Sequence, residues 1–226
     1  MRLGVLFSGG KDSCLALHRA AEHDEVVCLI TVVPDNPESF FFHTPNLHIT
    51  KLQAQALGLP QVTRRTPGVE EEEIADLRAA IAEAVDAHRI EGIVTGAVGS
   101  VYQATRVQRV CADLGLWCFN PLWQLDQLAL LDQLIEGGYQ VMVTGVFAPP
   151  LDETWLGRVI DRDTRDALAA LWESHGIHPA GEGGEIETTV LDAPLFGGRI
   201  EVRSSTLDYH RDSGVLHIDE AEVVDR

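Results

Sequence analysis

The segment Ser8-Gly9-Gly10-Lys11-Asp12-Ser13 sets two glycines, a cation, a carboxylate and two hydroxyls side by side. Glycines let backbone N–H groups approach a polyphosphate closely, and a helix N-terminus behind them adds unpaired donors. Lys11 adds a point charge for phosphate oxygens. The segment is not a Walker A loop, because Val5 stands at that motif's first glycine position and Asp12 follows the lysine. A second run, Gly181-Glu182-Gly183-Gly184-Glu185-Ile186-Glu187-Thr188, alternates glycines and acids. Such carboxylates can bind Mg²⁺, hold a cationic substrate group or take up protons, and the spacing leaves those roles open. Between the two runs, Gly96-Ala97 can let a nucleotide pack closely, and His43 and Asn46 follow the triple Phe40–Phe42 in a loop. Trp155 and Arg158 could clamp a ring or a phosphate. His175-x-x-His178 has a metal-permissive spacing but no partner, and reads as a pair of solvated histidines.

Alternating strands and helices position these residues. Leu3–Phe7 is a continuous apolar run, as in a strand buried on both faces, and Asp12 or Ser13 can cap a helix running to about His23. Val26–Val33 reads as a second strand, Leu47–Leu57 as a helix and Gln61–Arg65 as a short strand. Glu70–His88 is an amphipathic helix with Ile74, Leu77, Ile81 and Val85 on one face, and its acidic first turn suits the helix dipole. Gly92–Thr95 is a further strand and Val101–Leu114 a further helix. This alternation predicts a parallel sheet covered by helices, with ligands beyond the carboxyl ends of the strands. The second half differs: Leu125–Glu136 and Thr164–His175 read as helices, and Gln140–Val146, Thr188–Leu191, Arg199–Leu207 and Gly214–Ile218 as strands. The expected division is residues 1–125 and 126–226.

Composition narrows the function classes. The chain has 226 residues and a formal net charge of −18, which disfavours non-specific nucleic-acid binding through clustered cations. Four scattered cysteines form no Cys-x-x-Cys pair, so an iron–sulfur or zinc-ribbon reading lacks its spacing, and reduced thiols fit a cytosolic protein. No window approaches the roughly 20 apolar residues of a membrane helix, and Met1–Phe7 is too short for a signal peptide. The expectation is a soluble, cytoplasmic protein without membrane or nucleic-acid partners, with a homodimer as the default assembly.

The Ser8–Ser13 segment resembles the PP-loop, S-G-G-x-D-S, of the ATP pyrophosphatases, which cleave ATP between its α and β phosphates. The PP-loop alone leaves several amide ligases and tRNA thiolases open, and a non-catalytic adenine-nucleotide binder as well. Phe42-His43-Thr44-Pro45-Asn46, Thr95-Gly96-Ala97 continuing to Tyr102-Gln103 and Arg106, Leu151–Arg158 and Gly181–Thr188 then follow in order. Together these motifs resemble the diphthine–ammonia ligase family in its short archaeal form, over nearly the whole chain. The chain departs at Ile186, where the family carries an aromatic. The resemblance implies an α/β fold: a parallel sheet of the adenine-nucleotide alpha-hydrolase, Rossmann-like type with a smaller α+β C-terminal part. It implies ATP and Mg²⁺ as cofactors. It also implies amidation of the diphthine carboxylate of translation elongation factor 2 by ammonium through an acyl-adenylate. No glutaminase is visible, so free ammonium is the expected nitrogen source. By the same resemblance Lys11, Glu182, Glu185 and Glu187 are catalytic. Ser8, Gly9, Gly10, Lys11, Asp12, Ser13, Gly96 and Ala97 bind ATP, with Asp12 on the metal. His43, Asn46, Tyr102, Arg106, Trp155, Arg158, Gly183 and Gly184 bind substrate. A PP-loop ligase acting on a small-metabolite carboxylate is the alternative, and only substrate choice separates it.

Overall fold

The structure, a computed structural model, describes residues 1–36 and 45–226. Phe40–Phe42 and His43 lie outside the described residues. The first half carries five strands: β1 (Arg2–Leu6), β2 (Glu25–Pro34), β3 (Gln61–Thr66), β4 (Gly92–Val94) and β5 (Trp117–Phe119). They form a parallel sheet in the order β3-β2-β1-β4-β5. Helices α1 (Lys11–Ala21), α2 (Thr50–Leu57), α3 (Glu70–His88) and α4 (Val101–Leu114) connect them. Alternate strand residues enter two cores. Leu3, Val5, Leu29 and Val94 pack with Leu15 and Leu17 of α1. Cys28, Ile30, Val32 and Ile93 pack with Leu77 and Ile81 of α3 and Val107 and Val110 of α4. Burial on both faces is why these strands read as unbroken apolar runs.

The second half adds α5 (Gln127–Glu136), β6 (Gln140–Val146), α6 (Arg162–His175), β7 (Ile186–Asp192), β8 (Arg199–His210) and β9 (Ser213–Val224). Its four strands pair antiparallel in the order β7-β6-β9-β8. Val141, Val190, Phe196 and Ile200 join Leu3 and Val5 in one continuous core. Among the described residues, no helix is long and apolar enough to cross a membrane.

The structure corrects several sequence readings. α1 begins at Lys11 behind Gly10, with no side-chain cap, so Asp12 and Ser13 lie inside its first turn. Asp12 is taken up by Lys11, and Ser13 Oγ donates to the Gly10 carbonyl at 3.1 Å. The Leu47–Leu57 helix opens as a 3-10 turn over Leu47–Ile49. β5 is three residues long and carries no alternation to read. β9 runs past Ile218 to Val224 because its length is set by pairing with β8 rather than by burial.

Candidate active site

The strand order reverses between β1 and β4, which in such sheets is the crevice where ligands bind. A cavity of about 430 Å³ opens there, lined by the loop after β1, the loop after β4, the start of α4 and the acidic glycine run. Ligand cavities of this size are ordinary for small molecules. Gly9 has φ +79°, which turns the chain from β1 into α1. Its carbonyl accepts from Val190 N at 3.0 Å and from Gln53 Nε2 at 2.8 Å, so β7 and α2 clamp the turn. Gly96 lies against the first turn of α1. A Cβ there would stand 2.8 Å from the Asp12 carbonyl carbon and the Ser13 amide nitrogen. Two glycine loops thus close on one uncapped helix end, which fits a polyphosphate.

Charge is unevenly matched inside this cavity. Lys11 is 4% exposed, and its Nζ meets Asp12 Oδ2 at 2.8 Å. Its backbone N–H donates to Thr188 Oγ1 at 3.2 Å, which ties α1 to β7. Asp12 Oδ1 is buried and has no hydrogen-bond partner among the described residues. A lone buried carboxylate oxygen on a residue that lines this cavity fits a cation. Among the described residues, no group of three or more His, Cys, Asp or Glu could hold a metal by itself. Glu182 lines the same cavity and accepts from Gly99 N at 2.8 Å. Burial pushes its carboxyl up, Asp12 adds to the rise, and Lys11 opposes it. Glu187 also lines the cavity, and burial with Asp12 pushes its carboxyl up to about 7 against the pull of Lys11.

Glu185 is placed differently. It is buried and does not line the cavity. Its carboxylate accepts from His178 Nδ1 at 2.7 Å, His178 N at 3.2 Å and Gly183 N at 2.9 Å. Burial raises its carboxyl, but the bonds from His178 outweigh burial and hold it below the ordinary value. Glu185 therefore shapes the glycine turn that presents Glu182, Gly183 and Gly184. His178 is not a freely solvated histidine, since it is paired with Glu185 and its ring centroid lies 4.9 Å from that of Trp172.

The remaining expected residues divide between cavity and scaffold. Ser8, Gly10, Ser13, Ala97 and Tyr102 line the cavity. The Arg106 guanidinium stacks 3.3 Å from the Tyr102 ring centroid, a cation–π contact that steadies the ring from behind. Asn46 faces away: Nδ2 donates to Leu216 O at 2.9 Å and Oδ1 accepts from Ile218 N at 2.8 Å, so it staples the segment before α2 to β9. Trp155 is buried in the core, and Arg158 packs over it at 4.5 Å while donating to Thr154 O at 2.8 Å. Neither lines the cavity. Thr95, the first residue of the Thr95-Gly96-Ala97 motif, also lines it, and so does Ser100, which no sequence motif marks. Ser100 caps α4, accepting from Gln103 N at 3.3 Å, and a serine just before a helical run was the available signal.

Residues 1–118 match the family model of the diphthamide synthase N-terminal domain, and residues 126–224 that of the C-terminal domain. The chain belongs to the diphthamide synthase family. A relative from Homo sapiens, named diphthine–ammonia ligase, is 36% identical over 93% of this chain and 86% of its own length. One of the same name from Bos taurus is 35% identical, with the same coverage of each chain. A Schizosaccharomyces pombe relative, also so named, is 34% identical over 96% of this chain, which spans only 39% of that protein. Ligase chemistry and diphthamide formation, expected from the motifs, are the terms in which the family is named.

Proposed function

We propose that this protein is an ATP-dependent, AMP-forming ligase that amidates the diphthine carboxylate of translation elongation factor 2 with ammonium. The observation that carries the reading is one cavity in which an uncapped helix end and Lys11 face Glu182 and Glu187. A carboxylate becomes an electrophile once its oxygen is converted into a leaving group. The α1 amides and Lys11 hold the phosphates for that attack, and Gly96 keeps the second loop close. Binding both reactants in one geometry supplies most of the advantage. Asp12 Oδ1 is the atom that fits magnesium, which when bound draws charge from the phosphate oxygens. Diphthine offers a carboxylate and a quaternary ammonium. The Gly183-Gly184 turn faces the first and Glu187 the second, while Tyr102 forms the opposing wall. Adenylation gives an acyl-adenylate and pyrophosphate, and ammonium nitrogen then displaces AMP. Residues 1–125 serve the nucleotide and residues 126–226 the substrate, in the cytoplasm where the factor works.

The test incubates the protein with magnesium, ATP, ammonium and diphthine-bearing elongation factor 2, following AMP, pyrophosphate and the factor's mass. The expected result is AMP formation that depends on the factor, together with conversion of acid to amide. AMP formation indifferent to the factor but dependent on a small carboxylate would point to the metabolite ligase instead.

A further inference from the structure

A second cleft of about 380 Å³ opens beside the main cavity. Its outer wall carries Gln124, Gln127 and His178, and it shares Val98, Ser100 and Glu182 with the main cavity. Among the described residues, Glu182 is the only charged side chain that lines both spaces. Its carboxylate is fixed at this junction by the Gly99 amide. On the cleft side, Glu185 fixes the state of His178. A carboxylate accepts only, so the 2.7 Å contact places the proton on Nδ1 and leaves the lone pair of the neutral ring on Nε2. Gly183 N holds the other Glu185 oxygen, and Trp172 packs on the imidazole, so the base is set in place.

An oriented base and an anionic junction, opening into a space that fits a polyphosphate, suit a small cation that must lose a proton before it can react. Resting on the ligase reading above, we propose that this cleft is the ammonium entrance. Glu182 holds the cation where the two spaces meet, and His178, aligned by Glu185, takes its proton at Nε2. The nitrogen lone pair then forms the C–N bond to the acyl carbon. The carbon–oxygen bond to AMP breaks, its electron pair leaves on AMP, and the surplus proton on nitrogen passes to the departing phosphate. Entry by the side leaves the main mouth to the factor, so the nucleophile arrives while that mouth is blocked.

The test separates the two half-reactions. Exchange of labelled pyrophosphate into ATP, run with diphthine-bearing factor and no ammonium, reports adenylation. Amidation at varied ammonium gives the KM for nitrogen. Gln124→Trp, which narrows the cleft by adding bulk at its wall, should leave exchange within about twofold and raise the ammonium KM about tenfold or more. His178→Gln should raise the ratio of exchange to amidation about tenfold. Unchanged ammonium KM in Gln124→Trp and an unchanged ratio in His178→Gln, with exchange intact, would overturn the entrance alone. Exchange and amidation falling together in both variants would overturn it too, as a purely structural role. Wild-type protein without factor-dependent exchange would overturn the ligase reading and the entrance with it.

Discussion

Glu187 is a carboxyl that the fold itself penalises. Burial is the larger cause and Asp12 the next in rank among those raising it, so it titrates at about 7 rather than at the ordinary 4.5. The folded chain therefore keeps this proton to higher pH than the unfolded chain does. Below about 4.5 both states are protonated and the group contributes nothing. As pH rises from there to about 7, the unfolded chain loses the proton first, and stability falls. At about 1.36 kcal/mol per pH unit the full rise corresponds to about 3 kcal/mol. Glu187 is half-buried and borders an open cavity, so screening reduces the expected penalty to about 1.5–2 kcal/mol. Glu187→Gln keeps the shape and removes the charge. It should equal wild type near pH 4.5 and exceed it by about 1.5–2 kcal/mol at pH 8. Urea unfolding of both proteins across this range isolates the one group, because every other carboxylate and histidine is common to them. Amidation should fall by about tenfold or more, since a counter-charge for the substrate cation is lost. Stability curves that run parallel from pH 4.5 to 8 would refute the reasoning.

Three other perturbations probe the same cavity. Lys11→Ala leaves Asp12 without its partner, and should cost about 2–3 kcal/mol in urea unfolding and reduce AMP formation about a hundredfold or more; near-normal AMP formation by the folded variant would remove Lys11 from the site. Gly96→Ala should cost about 1–3 kcal/mol, because its Cβ meets backbone rather than a movable side chain, and isothermal titration with a non-hydrolysable ATP analogue should show weaker binding. Glutamine should not replace ammonium in a purified reaction after ammonia has been scavenged; equal amidation rates with glutamine alone would contradict the nitrogen source.

Local signals made the first half legible. The Glu70–His88 and Val101–Leu114 boundaries are those of α3 and α4, because each helix has one apolar stripe and a clear start. The parallel sheet followed from apolar runs that are buried on both faces. β5 escaped reading because it is a short edge strand without the full burial that marks the equally short β4, and the end of β9 because it is held by its neighbour. In the site, glycines and acids were readable by type, but the aim of a side chain was not. Glu182, Glu185 and Glu187 look equivalent in sequence, yet β7 begins at Ile186. The chain therefore passes from turn to strand inside the motif, and Glu182 and Glu187 face the cavity while Glu185 turns to His178. The family resemblance implies substrate contacts at Asn46 and Arg158, and polar loop residues beside a motif are as suited to stapling as to binding. The partners that decide between these, Ile218 and Thr154, are set by tertiary contacts.

The charge balance also gives the site an order of events. Burial is the first cause of the rise of both glutamates, Asp12 adds to it in each, and Lys11 opposes it. Each ligand of the proposed reaction brings a positive charge to a different carboxylate. Magnesium meets Asp12, the quaternary ammonium of diphthine meets Glu187, and ammonium meets Glu182. Every arrival lowers the repulsion felt by the remaining acids, because Asp12 contributes to raising both glutamates. Neutralising Asp12 first draws the Glu182 and Glu187 carboxyls down toward their charged forms, and so readies them for the two later cations.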